Sequence, residues 1–226
     1  MRRTVLAGAV AAAALAGAMP AEAQQPVVVE LFTSQGCSSC PPANASLAAV
    51  APRTDVLALS FGVTYWDYLG WKDTFAQKKF TDRQVAYEAG LGHNGPFTPQ
   101  IVINGAADTV GNRQSDVEHL ISSARLNGPA IELNDNAVTV AAAPAQGEAD
   151  VWLVRYDPRT IQVPVARGEN EGATLPHRNV VHELTRLGAW SGRAVQFPIP
   201  PSPPGLRSAV LIQKARGGAI IAAYKQ

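Results

Sequence analysis

Two cysteines stand in this 226-residue chain, three positions apart in the run Cys37-Ser38-Ser39-Cys40. Thiols at this spacing can close a small disulfide. The run follows a short loop, Thr33-Ser34-Gln35-Gly36, and precedes a helical pattern, so it lies at a predicted helix start. A helix N-terminus presents free amides and a partial positive charge, both of which favour a thiolate. The thiolate is the attacking species in disulfide exchange. On this reading Cys37 attacks and is the more exposed thiol. Cys40, one helical turn deeper, resolves the mixed disulfide and releases the partner, a protein or a small thiol or disulfide. Two other chemistries use the same residues. One is a static Cys37–Cys40 bridge in a non-enzymatic binding module. The other is a carrier site for copper or another soft metal on the thiolate pair. The histidines His93, His119, His177 and His182 have no finger-like spacing that would complete a metal centre. No cofactor is predicted.

The elements that position this pair are read from periodicity. Residues 27–32 form a β-branched run typical of a buried strand, followed by the cysteine loop and a helix over 43–50. Residues 56–61 are a second strand. Thr81-Asp82-Arg83-Gln84 reads as a capping box opening a helix that Gly90 stops. Residues 100–103 are a third strand closed by the Asn104-Gly105 hairpin turn, with a short return strand at 109–111. Ser115-Asp116-Val117-Glu118 opens a last helix, and Asn127-Gly128-Pro129 ends it. From residue 130 the period becomes two. Hairpins are predicted at Asn134-Asp135-Asn136 and at Asp157-Pro158-Arg159, a final turn at Gly217-Gly218, and further strands at 180–187, 194–197, 209–213 and 219–224. The expected organisation is an α/β domain over 24–128 followed by a mostly antiparallel, sandwich-like β domain over 129–226.

Composition narrows the function classes. Lys+Arg number 19 and Asp+Glu 18, so no electropositive face for nucleic acid is expected. Hydrophobic residues at 46% and charged residues at 16% exclude a disordered chain. Arg2 and Arg3, an apolar run over residues 5–19, and Ala21-Glu22-Ala23 read as a signal peptide over residues 1–23. The predicted mature chain is therefore exported, to the periplasm or outside the cell, where disulfides persist. No membrane span is expected in it. Removing two Arg and one Glu from a chain of net charge +1 leaves it neutral.

The order strand, Cys-x-x-Cys at a helix start, Thr98-Pro99 before a strand, hairpin and final helix resembles the thioredoxin superfamily. The resemblance implies an α/β thioredoxin-like fold for the first unit. It also implies a cis Thr98–Pro99 bond against the cysteine pair, and a Thr98 backbone free to pair with an extended partner. Thioredoxins bury an acid under the pair as a proton acceptor. Glu30, seven residues before Cys37, takes that role or is an ordinary strand-end carboxylate. Ser38-Ser39 replaces the Gly-Pro of thioredoxins. More narrowly, the stretch from Glu30 through Cys37-Ser38-Ser39-Cys40-Pro41-Pro42-Ala43, with Tyr65-Trp66-Asp67-Tyr68-Leu69-Gly70-Trp71-Lys72-Asp73 and Phe97-Thr98-Pro99-Gln100, resembles a bacterial secreted family known as domain of unknown function number 1223. That resemblance spans nearly the whole predicted mature chain and implies the same fold without a substrate.

Three further features lie outside the motif. The aromatic loop 65–73 either binds a flat or extended ligand or packs over the helix that follows. His93, six residues before Pro99, is within range of a proton-shuttle role or is simply solvated. The polar stretches Arg167-Gly168-Glu169-Asn170-Glu171-Gly172 and 177–182 read as surface or hairpin residues, and the odd offset of His177 and His182 puts them on opposite faces of a regular strand.

Overall fold

The computed structural model describes residues 25–226. The predicted signal peptide lies outside the described residues. Strand β1 (Val27–Thr33) is buried at all seven positions and faces apolar clusters on both sides. Val27, Val29 and Leu31 pack with Ala43, Leu47 and Val50 of helix α1 (Pro41–Val50) and with Val117 and Ile121 of α3 (Gln114–Ser123). Val28 and Phe32 face the opposite cluster, with Phe80 and Tyr87 of α2 (Lys78–Leu91). Strand β2 (Val56–Gly62) runs parallel to β1, in register from Val27 opposite Val56, and α1 is the crossover between them. Pro41 and Pro42 occupy the first turn of α1, where a fixed φ and a missing N–H do no harm. The helix ends at Val50: Ala51 keeps helical backbone and donates its N–H to Leu47 O at 3.0 Å, but Pro52 has no N–H to continue the ladder. Replacing its fully buried anchor Leu47 with Ala is expected to cost about 2–5 kcal/mol.

Strand β3 (Gln100–Ile103) is antiparallel to β1 and pairs with β4 (Ala107–Thr109). Asn104 at φ 48° and Gly105 at φ 61° make the predicted tight turn between them. The remaining strands are β5 (Ile131–Leu133), β6 (Ala137–Val140), β7 (Ala149–Pro164), β8 (Thr174–Trp190), β9 (Val195–Pro198), β10 (Arg207–Lys214) and β11 (Ile220–Lys225). The β5–β6 hairpin is made by Asn134, whose side-chain oxygen accepts the N–H groups of Asn136 and Ala137.

The expectation of an α/β thioredoxin-like domain followed by a β domain is not met. The described chain is mostly β, with three α-helices and one mixed sheet in the order β11-β10-β7-β8-β2-β1-β3-β4. A small second sheet, β5-β6-β9, packs on it through Val138, Val140, Trp190, Val210 and Ile212. The physical reason lies in β2. All seven of its residues are buried, so an open edge there would leave backbone groups unpaired away from water. Strand β8 closes that edge, lying parallel to β2 with Val180 opposite Ser60.

A second correction concerns residues 157–159. They form no hairpin; β7 continues through them, still paired to β8, with a register shift between Asp157 and Thr160. The Asp157 carboxylate accepts the Arg159 N–H at 2.9 Å and its guanidinium at 2.6 Å, so it closes a bulge rather than a reversal. The reversal falls at residues 165–173 instead. In β8, Asn179 adopts φ 51° and interrupts the alternation of faces. His177 and His182 therefore both meet the Phe75 ring, at 5.6 and 6.3 Å between centroids, and His177 is buried rather than at the surface. A third correction moves the start of α2 to Lys78; Thr81 lies within the helix, and its hydroxyl accepts the N–H of Thr64. No helix among the described residues is long and apolar enough to cross a membrane.

Candidate functional site

Cys37 and Cys40 are joined by a disulfide, with Cα atoms 5.4 Å apart. The loop that carries them turns on the Cys37 N–H bonded to Ser34 O and the Cys40 N–H bonded to Cys37 O, each at 3.2 Å. Cys40 is the N-cap of α1. Because Pro41 and Pro42 have no N–H and the Ala43 N–H is already bonded to Cys40 O, the helix offers no free amide in its first three positions. The group facing the Cys37 sulfur is instead the Ser39 hydroxyl, at 3.4 Å.

The expected difference in exposure between the two thiols is absent: Cys37 and Cys40 are both 0% exposed, although Ser38 and Ser39 between them are exposed. The reversal at 165–173 is hydrogen-bonded to this loop. Asn170 Nδ2 donates to Gln35 O and to Cys37 O, each at 2.9 Å. Glu169 Oε2 accepts the Ser38 N–H at 3.0 Å and the Ser38 hydroxyl at 2.8 Å. Those bonds to Ser38 hold the Glu169 carboxyl below its usual pKa.

The aromatic loop forms the second wall. Gln35 is its tether: Oε1 accepts the Trp71 Nε1–H at 2.9 Å and the Thr74 N–H at 3.1 Å, while Nε2 donates to Thr74 Oγ1 at 2.8 Å. Asp73, 3% exposed, accepts the Gln35 N–H at 2.7 Å and the N–H groups of Phe75 and Ala76. Burial raises its pKa, against the pull of those amides. Trp66 donates its Nε1–H to Thr98 Oγ1 at 2.6 Å and stacks its Cβ side against Gly36, where an added Cβ would lie 3.4 Å away. Trp66 thus bridges the cysteine loop and Thr98. The Thr98–Pro99 bond is cis, and Pro99 is buried. Since β3 is antiparallel to β1 with Gln100 opposite Phe32, Pro99 enters at the end of β1 from which the cysteine loop leaves.

Cys37, Cys40, Thr98 and Pro99 therefore gather at one end of the sheet, and Glu30 does not join them. Its side chain lies on the α2 face, opposite α1, where Arg83 Nε and Nη2 donate to its two oxygens at 2.7 and 3.1 Å and the Tyr87 hydroxyl donates to Oε2. Burial opposes the charge on Arg83, but the Glu30 carboxylate outweighs it and its pKa is raised; burial likewise pushes the Tyr87 hydroxyl well up. His93 is held by Asp108, Nε2 to Oδ2 at 2.8 Å, and its ring meets Phe97. Among the described residues no group of three or more His, Cys, Asp or Glu is placed to hold a metal ion. Gln35, Asp73, Glu169 and Asn170 are site residues that sequence reasoning missed. Gln35 and Asp73 lie within the cysteine and aromatic-loop motifs; Glu169 and Asn170 lie in the polar stretch 167–172, whose composition marks a surface or hairpin segment without indicating what it meets.

The family described as protein of unknown function (DUF1223) matches residues 28–213. The chain belongs to this family. The crystal structure of protein AGR_C_4864 from Agrobacterium tumefaciens is similar at 32% identity and a TM-score of 0.74, over 91% of this chain and 95% of that one. HBP35 of Porphyromonas gingivalis is similar in fold alone, at 12% identity and a TM-score of 0.56, over 90% of this chain and 75% of that one. No curated protein matches the chain.

Proposed function

We propose that this chain is an exported thiol–disulfide exchange protein whose reacting unit is Cys37–Cys40. The observation that carries the reading is the Cys37–Cys40 disulfide at the start of α1, at the same sheet end as Thr98–Pro99. What we retain from the thioredoxin resemblance is this local arrangement alone. In the exchange, a partner thiolate attacks Cys37 Sγ, the Cys37–Cys40 bond breaks, and Cys40 leaves as a thiolate and takes up a proton. A second partner thiol then displaces Cys37. The partner is left as a disulfide, and two electrons and two protons have passed to the cysteine pair. In reverse, Cys37 attacks a partner disulfide and Cys40 resolves it. The Thr98 backbone pairs with the partner chain. Export follows from the predicted signal peptide.

The competing reading is a static bridge in a binding module, favoured by the complete burial of both cysteines. Equilibration with glutathione and dithiothreitol buffers, acid quench and alkylation separate the two. An exchange protein is expected at about −120 to −270 mV, and a structural bridge below about −300 mV. Cys40→Ala is expected to trap the partner as a mixed disulfide on Cys37. A pair that resists reduction below the structural limit and traps nothing would defeat the exchange reading.

A further inference from the structure

The reversal at 165–173 is built as a rigid piece. The Val165 N–H bonds to Ala173 O and the Gly172 N–H to Val165 O, each at 2.9 Å, and Glu171 and Ala173 close inner turns on Gly168 and Asn170. Gly168 at φ +84° and Gly172 at φ +80° adopt backbone that only glycine takes without strain. Gly168 lies against the aromatic loop, where an added Cβ would stand 3.6 Å from Trp71 Cβ and 3.8 Å from Leu69 Cβ. The piece spans the gap between that loop and the cysteine loop. Its polar groups meet residues 35–38 in a definite pattern: amide N–H to Gln35 O and Cys37 O, and carboxylate to the Ser38 backbone N–H and side-chain hydroxyl. An attacking sulfur must reach Cys37 Sγ along the S–S axis, and a residue at 0% exposure admits no such approach.

We propose that residues 167–171 are a built-in cap occupying the partner's place, and that the partner which displaces it is an extended peptide bearing an acidic side chain beside its cysteine. This rests on the exchange reading above. The cap shows which chemistry the cysteine loop accepts: N–H donors for two carbonyls and a carboxylate for Ser38. A peptide of that kind replaces each bond the cap gives up, so opening loses little. A small thiol replaces none of them, so it reacts slowly.

The test compares the full-length oxidised protein with Asn170→Ala, Glu169→Gln and the double variant. Pseudo-first-order reduction by dithiothreitol is followed by alkylation. One dithiothreitol thiolate attacks the disulfide and the second closes the ring; the reagent is oxidised by two electrons, and its two thiol protons end on Cys37 and Cys40. The double variant is expected to be reduced at least about tenfold faster than wild type, the factor for losing hydrogen bonds of this kind. Rates equal within about twofold in all variants overturn the cap. Glu169→Gln alone, an exposed isosteric change, carries the test where Asn170→Ala fails to fold. A second arm follows mixed-disulfide formation with a one-cysteine peptide flanked by Glu or by Lys. The Glu peptide is expected to react several-fold faster than the Lys peptide with wild type, and to keep that preference in Glu169→Gln/Asn170→Ala, where both peptides react faster because the Ser38 donors remain and the cap no longer competes. Equal rates for the two peptides on wild type overturn the partner class. The equilibrium potential keeps the two claims separate. A fast-opening variant with a structural potential sinks the exchange reading alone, and unchanged rates with a catalytic potential sink the cap alone.

Discussion

Arg83→Met tests whether Glu30 belongs to the fold or to the chemistry. The Arg83 side chain is 5% exposed and that of Glu30 0%, so both charges lie out of water. Besides two bonds to Glu30, the guanidinium donates to Tyr87 Oη at 2.8 Å and to Gln213 Oε1 at 3.0 Å. It also stacks near Phe61, Tyr87 and Trp152 at 5.8, 5.2 and 5.7 Å. Methionine keeps much of the apolar stem contact but leaves the carboxylate buried without its cation. Removing one partner of such a pair costs about 3–5 kcal/mol. For a chain of this size that corresponds to a fall in Tm of roughly 6–20 °C. Adding Glu30→Gln removes the stranded charge, so the double variant is expected to recover about 2 kcal/mol of the loss in urea unfolding. A loss below about 1 kcal/mol, or no recovery on adding Glu30→Gln, would refute this account. The double variant also settles the proton-acceptor role. If Glu30 is structural, the potential of the Cys37–Cys40 pair stays within about 30 mV of wild type.

Burial of His177 lowers its pKa from 6.5 to about 4, so the unfolded chain binds a proton there that the folded chain refuses. Stability is therefore complete above pH 6.5 and is expected to fall by about 3 kcal/mol as pH drops towards 4, a slope that His177→Gln lacks in urea titrations. A wild-type profile flat across that window counts against the burial argument. Trp66→Phe removes the donor to Thr98 Oγ1 and is expected to destabilise by about 1 kcal/mol and slow exchange with peptides. Exchange unchanged with a peptide partner argues that Trp66 does not position Thr98. The Ser38 amide shift in an NMR titration is expected to follow Glu169, whose pKa lies below its usual 4.5, with the bond intact above the midpoint and lost as pH falls through it. A Ser38 amide indifferent to acid shows that Glu169 does not hold it in solution.

Features set by neighbours in the chain were legible from the residues alone. Cys37-Ser38-Ser39-Cys40 places two thiols within bonding reach whatever surrounds them. The run at 27–32 is valine-rich and that at 56–61 is mostly apolar, which suits strands buried on both faces. Asn104-Gly105 and Asn134-Asp135-Asn136 make turns through their own backbone and side-chain preferences. Features that depend on which distant segment arrives were not legible. A period-two pattern shows that β8 pairs, but not that it joins β2 and fuses the expected two units into one sheet. Asp157-Pro158-Arg159 has turn chemistry, yet the pairing of β8 on both sides of it turns that chemistry into a bulge and moves the reversal to 165–173. Glu30 shares its strand position with Val28 and Phe32, and only the packing of α2 supplies the Arg83 that claims it. The exposure of Cys37 was a matter of its position in a loop as far as sequence could say. It was decided by tertiary packing, in which Asn170, 133 positions away, bonds to the Cys37 carbonyl, because hydrogen bonds and burial are properties of which surfaces meet and carry no signature in the residues on either side.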